Sequence, residues 1–223
     1  RFPPWIPGSS AGRAEKHRDV QKKNSLNINR NSSHNTVMSL SFPEKVKGFL
    51  LNPVETFRKV APEDPGETIK YFLCIVIFYA IMATILMIAG FFSHPVLEVP
   101  SDPLVEPLLV VAWGFVILVF TLIAAVIFGF WLHLWVYILG GREGVWQTEK
   151  SFFYGLTPLM LLGWIPVVGE IIGFVWSIVL CVIGVRELQK VSSSRAAIAV
   201  IVAVVLGGLI LSLILLAFLL AID

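Results

Sequence analysis

Between Glu106 and Arg142 the chain runs for 35 residues without a formal charge. Tyr71 to His94 is a second uncharged run, and Ala196 to Ile222 is a third. A helix at the surface of a soluble domain keeps a polar face, whereas a bilayer crossing needs roughly 20 consecutive apolar residues. These runs commit the chain to a membrane. Composition agrees, since 57% of residues are hydrophobic and 14% charged, against about 25% charged in a soluble domain. The expected fold class is an all-α, polytopic transmembrane helical bundle. Spans consume most of the 223 residues and leave no room for a soluble catalytic domain.

Positive charge between the runs alternates. Lys45, Lys47, Arg58, Lys59 and Lys70 precede the first run, and residues 93–106 hold no Lys or Arg. Arg142 and Lys150 follow the second run, the connection around Gly163 to Gly169 holds none, and Arg186, Lys190 and Arg195 precede the last. Cytoplasmic loops collect Lys and Arg. The pattern predicts five spans, at about 70–92, 107–139, 152–165, 167–187 and 196–222, with the amino terminus cytoplasmic and the carboxyl terminus outside. At 1.5 Å per residue the second run reaches roughly 50 Å, more than the ~30 Å core. No turn divides it, so it is expected as one long, tilted or protruding helix. Trp113, Trp131, Trp135 and Tyr137 near its ends suit interfacial anchoring. The third arm, Phe152 to Ile165, is short and contains Pro158. It is expected to tilt little, thin the bilayer or re-enter. Pro166, between Gly163 and Gly169, breaks the hairpin on its outer side.

Residues 1–37 are rich in Asn, Ser, Lys and Arg and show no apolar periodicity. They are expected to be a disordered, upstream extension with the physiological start at Met38. Seven of the 17 Lys and Arg lie there against two acids, leaving ten cations and thirteen anions, net −3, in the remainder. The overall basicity is thus no argument for a nucleic-acid partner, and none is expected. Residues 38–68 are expected as cytoplasmic amphipathic helices. Ser41 with Glu44, and Asn52 with Pro53 and Glu55, are successive helix-start signatures, predicting helices over 42–51 and 53–60. Two readings stay open: the helices lie in the headgroup region of an anionic leaflet, or they fold against the cytoplasmic end of the bundle.

Ala199, Ala203 and Gly207 stand four apart, as do Gly208 and Ser212, and Gly169 and Gly173. Small residues at that interval let helices approach closely. Packing within one bundle is the simpler reading, a homo-oligomer the other. Cys74 and Cys181 lie in apolar runs and read as small buried hydrophobes.

Tyr154-Gly155-Leu156-Thr157-Pro158, Ile165-Pro166-Val167-Val168-Gly169, Gly184-Val185-Arg186-Glu187-Leu188 and Arg195-Ala196, with Leu51-Asn52-Pro53 and Phe57 upstream, resemble the prokaryotic branch of the Yip1 domain family. The resemblance covers about residues 45–220. It implies five transmembrane helices with a cytoplasmic amino terminus, in the cell membrane of a prokaryote. Eukaryotic members of that family act in vesicle traffic between endoplasmic reticulum and Golgi and associate with Rab GTPases. Their Asp-Leu-Tyr-Gly-Pro-like motif before the first span is missing from this chain.

The sequence holds no phosphate-binding loop, no nucleophile elbow, no HExxH and no intramembrane pair of carboxylates or histidines. No enzyme, cofactor or metal site is expected. Two ionisable residues inside the spans are candidates by default. His133 closes a four-apart row with Thr121, Ala125 and Gly129; its plainer role is a neutral imidazole bonded across a helix interface. Glu170 follows Pro166, where the positive end of a helix dipole favours a carboxylate. The expectation is a membrane scaffold, organiser or adaptor that meets the bilayer and cytoplasmic proteins. The alternative is a small channel or transporter along the row at His133.

Overall fold

The computed structural model describes residue 21, residues 40–89 and residues 105–222. Those residues form an all-helical membrane bundle. The tail expected at 1–37 and the outer connection at 93–106 fall almost wholly outside the described residues.

Helix α1 (Phe42–Leu51) starts where predicted because its cap is satisfied: the Ser41 N–H donates to Glu44 Oε2 at 2.8 Å. It stops at Asn52, beyond which Pro53 lacks an N–H to continue the ladder and begins α2 (Pro53–Val60). The inward face of these helices is mainly apolar. Phe49, Phe57 and Val60 have no exposed surface, and burying each is worth about 2–3 kcal/mol over leaving it in water. Through these residues the two helices pack onto the bundle.

Among the described residues four helices are long and apolar enough to cross a membrane: α3 (Pro65–Ile88), α4 (Val105–Ile138, apolar from Leu108), α7 (Val168–Gln189) and α8 (Ser193–Ile222). Helix α3 begins five residues before the expected Lys70, because Pro65 at its first position, after Asp64, is a proper helix start. Helix α4 runs unbroken for 34 residues and ends on Gly140, whose φ of +101° suits a residue without Cβ. The Gly141 N–H then returns to Val136 O at 2.9 Å, closing the end of the helix.

The segment expected as a third span at 152–165 differs from a plain crossing. It is two helices, α5 (Val145–Gly155) and α6 (Thr157–Leu162), broken at Leu156. Pro158 at the start of α6 forbids a continuous ladder, and the freed Leu159 N–H is taken by Ser177 Oγ of α7 at 3.1 Å. The connection between the spans expected at about 107–139 and 152–165 is also shorter than that gap, since α5 begins at Val145. After α6 a tight γ-turn centred on Val167 (φ +63°) returns the chain, with the Val168 N–H on Pro166 O at 2.8 Å.

Helix α8 packs its small-residue row inward. Ala199 and Ala203 are buried, Gly207 faces Phe128 and Trp131 of α4, and Trp131 Nε1 donates to Ala203 O at 2.9 Å. That indole, expected at the interface, therefore fastens α4 to α8. Gly208 faces open space and Ser212 bonds Gly208 O of its own helix at 2.8 Å. From Leu209 to Leu220 the large apolar side chains of α8 are exposed, as contact with lipid tails permits.

Candidate functional site

Among the described residues most of the charged side chains, Glu170 apart, gather at the end of the bundle where α1 and α2 dock. Lys45 lies on the same face of α1 as Phe49, four residues on, and is carried inward with it. Its ammonium meets Glu63 Oε2 at 2.8 Å, with both side chains no more than 4% exposed. Tyr154 of α5 donates its hydroxyl to the same Oε2 at 2.7 Å. Around this triad stand aromatic rings: Phe49 stacks on Tyr154 at 4.7 Å between centroids, and Tyr71 lies 5.0 Å from it. Tyr71 bonds Thr157 Oγ1 at 2.9 Å.

Lys150 completes the attachment. Its ammonium donates to the carbonyls of Val60 at 3.2 Å, Ala61 at 3.0 Å and Glu63 at 2.6 Å. Those carbonyls lie at and just beyond the carboxyl end of α2, where the helix dipole favours a cation. Burial pulls the Lys150 ammonium below the ordinary lysine range, while Glu63 and Asp64 act the other way. Outside this core Arg58 reaches Glu187 of α7 at 2.7 Å, and Arg186 bonds the other oxygen of Glu187 at 2.9 Å. Lys190 pairs with Glu143 at 3.0 Å on the exposed surface.

His133 sits in a second polar group at the same end. Its Nδ1 is 2.8 Å from Thr148 Oγ1 of α5, and Gln189 of α7 donates to that hydroxyl at 2.8 Å and to Gly144 O at 2.7 Å. The row from Thr121 through Ala125 and Gly129 to His133 thus faces α5 over its inner part. At Gly129 the approach is so close that a Cβ would fall on the carboxylate of Glu149. Glu149 is buried, and neither of its oxygens has a hydrogen-bond partner among the described residues. It stands one turn before the apolar stretch that begins at Phe152, and burial pushes its carboxyl up to about 7.

Glu170 is far along α7 from this end, in the first turn of that helix, where it lines a cavity of about 420 Å³ with Tyr79, Thr121 and Met160. The structure therefore separates the two ionisable candidates. Thr121 shares a cavity with Glu170, while His133 is tied to Thr148. Gly155, Pro158 and Gly169 serve close contact. Gly155 abuts Cys181, Gly169 abuts the Leu162 carbonyl, and Pro158 offers its carbonyl to Gly173, where a Cβ would stand 3.0 Å away. Pro166 accepts the γ-turn bond, and Arg186 holds Glu187.

Lys45, Glu63, Thr148, Glu149, Lys150 and Gln189 carry most of this polar architecture, and none of them belongs to a motif legible in the sequence. The signal there is small: Lys45 shares its helical face with Phe49, and Glu149 and Lys150 directly precede an aromatic-rich apolar stretch. Among the described residues no group of three or more His, Cys, Asp or Glu could hold a metal ion.

A family model described as Yip1 domain matches residues 47–215. No curated protein and no solved structure matches.

Proposed function

The chain belongs to the Yip1 domain family, and from that premise we propose that it is a non-enzymatic membrane scaffold or adaptor working through its cytoplasmic face. The observation that carries the reading is the docking of α1 and α2. The Lys45–Glu63–Tyr154 triad and the Lys150 bonds hold two amphipathic helices against the bundle, so their outward side chains form a fixed platform. Lys47, Glu55, Arg58 and Lys59 are exposed there. A photo-crosslinking residue at Lys47 or Lys59 is expected to capture protein in native membranes, and one at Phe218 only lipid. Lipid adducts alone at all three positions would refute an adaptor role.

We propose an orientation from the same contacts. Arg58 with Glu187, Lys190 with Glu143 and Lys150 with α2 draw the basic connections to one end, which supports placing that end in the cytoplasm. Gln189 bonds Gly144 O, so α4 and α7 finish together, and the broken pair α5–α6 carries the chain back between them. With the four long apolar helices, that path supports the proposal of five crossings. Cysteines replacing Glu98, Glu143 and Ser192 should react with an impermeant reagent in intact cells only at the first. Reaction at Glu143 would refute this topology.

The cavity shared by Tyr79, Thr121 and Glu170 is the observation that favours a small channel or transporter instead. His133 and Gly129 oppose it, since the first is bonded to Thr148 and the second is closed by Glu149. Protein in liposomes is expected to pass no ion between pH 5 and 8, the range over which an ordinary imidazole, with pKa about 6.5, titrates. His133→Ala should cost about 0.6–2 kcal/mol of stability, the scale of interhelical hydrogen bonds in membranes. A pH-gated conductance abolished by His133→Ala would establish the channel reading.

A further inference from the structure

A groove of about 480 Å³ lies between α3, α4 and α5, walled by Ile69, Leu73, Leu122, Val126, Phe130 and Phe153. Leu122, Val126 and Phe130 stand four apart along α4, so this wall runs about 12 Å along the helix axis. Its outer side chains are exposed: Phe130 is 57% and Val126 43% accessible. In a bilayer the groove is therefore open sideways to lipid, and its length and apolar lining fit part of an acyl chain.

The cytoplasmic end of the groove is different in kind. Trp146 and Glu149 line it from α5, three residues apart and hence on one face. Trp146 Nε1 and both Glu149 carboxylate oxygens are buried and have no hydrogen-bond partner among the described residues. A buried polar atom without a partner is destabilising, and a charged one more so. Here an orphan donor and an orphan acid share one apolar groove. Glu149 is only 4% exposed, and its carboxylate packs against the backbone of Gly129, which has no side chain to satisfy it.

We propose that this groove binds a membrane lipid with a primary ammonium headgroup. The ammonium donates to the Glu149 carboxylate, a phosphate or ester oxygen accepts from the Trp146 N–H, and one acyl chain lies along Leu122, Val126 and Phe130. Charge complementarity selects the occupant. A quaternary ammonium offers no N–H to the carboxylate, and an anionic headgroup without an amine would set like charge against it. The raised carboxyl of Glu149 is what an acid awaiting a cation would show, since an ammonium beside it favours the ionised form. The site is independent of the adaptor reading and would stand if that reading failed.

Native mass spectrometry of the full chain, delipidated and offered equal amounts of phosphatidylethanolamine, phosphatidylcholine and phosphatidylglycerol with matched chains, tests it. One phosphatidylethanolamine should be retained over either competitor by about tenfold, the scale of one charge-assisted hydrogen bond. Glu149→Gln, nearly equal in volume, should erase that preference, and Trp146→Phe should weaken retention of phosphatidylethanolamine. The helical circular dichroism of both variants should match the parent, so that a fold defect is recognised. At pH 6 the infrared band of the protonated Glu149 carboxylic acid in the parent protein should vanish when the aminolipid binds and be missing from Glu149→Gln throughout. Equal retention of the three lipids, a preference that survives Glu149→Gln, or an acid band that persists with lipid bound would each overturn the proposal.

Discussion

Lys45→Met should lower the unfolding free energy by about 3–5 kcal/mol, the cost of leaving one partner of a buried ion pair uncompensated. The pair is unusually enclosed, with both side chains at most 4% exposed. Methionine fills much of the same volume, so the loss would be electrostatic and not a packing defect. Glu63 would keep only the Tyr154 hydroxyl, which cannot neutralise a buried carboxylate. Because the pair joins α1 to the turn before α3, the released helix should become the first site of proteolysis in detergent. The double variant Lys45→Met with Glu63→Gln should recover most of the loss, since the amide oxygen introduced by the second change still accepts from Tyr154 while both charges are gone. A single-variant cost below about 1 kcal/mol would mean that the pair behaves like an exposed surface bridge, and the fixed platform proposed for α1 and α2 would lose its basis.

The helices are the legible part of the sequence, for reasons that are local. An uncharged run of 35 residues can only be a membrane helix, and Ser41, Asn52 and Pro53 mark helix starts within one turn of themselves. Lys150 shows where local reasoning fails. By position a loop cation, it is in fact 1% exposed and bonded to three carbonyls about 90 residues upstream. It still lies at the same end of the bundle as the other basic connections, because the carboxyl end of α2 lies there too. Lys45 stands among the charges of an amphipathic helix, yet Glu63 and Tyr154, 18 and 109 residues away, draw it inside. Pairings of that range leave no periodicity in the sequence. The break at Leu156 is half legible: Pro158 announces it, but the acceptor for the freed amide, Ser177, belongs to another helix.

Glu149→Gln should stabilise the protein in aminolipid-free detergent near pH 8 and change it little near pH 4. The carboxyl is raised from an ordinary 4.5 to about 7 by burial, so the folded chain holds a proton that the unfolded chain releases. Below about pH 4.5 both states are protonated and the group's ionisation costs nothing. As pH rises through that value the unfolded state ionises first, and the penalty on folding grows until the folded group also ionises near 7. Above that it is complete, on the order of 3 kcal/mol at about 1.36 kcal/mol for each pH unit between the two values. Glutamine keeps the shape against Gly129 and removes the titration, so the two melting curves should diverge with pH and then run parallel above about pH 7.5. His133 is held by Thr148 and Lys150 by the α2 carbonyls, so neither group is bonded to Glu149 in a way that would cancel the effect. Adding phosphatidylethanolamine at pH 8 should then raise the stability of the parent protein toward that of the variant and leave the variant unchanged, because only the carboxylate gains a cation. Melting curves for parent and variant that keep the same separation at pH 4 and pH 8 would show that Glu149 reaches water in the folded protein, contrary to the burial on which the lipid site depends.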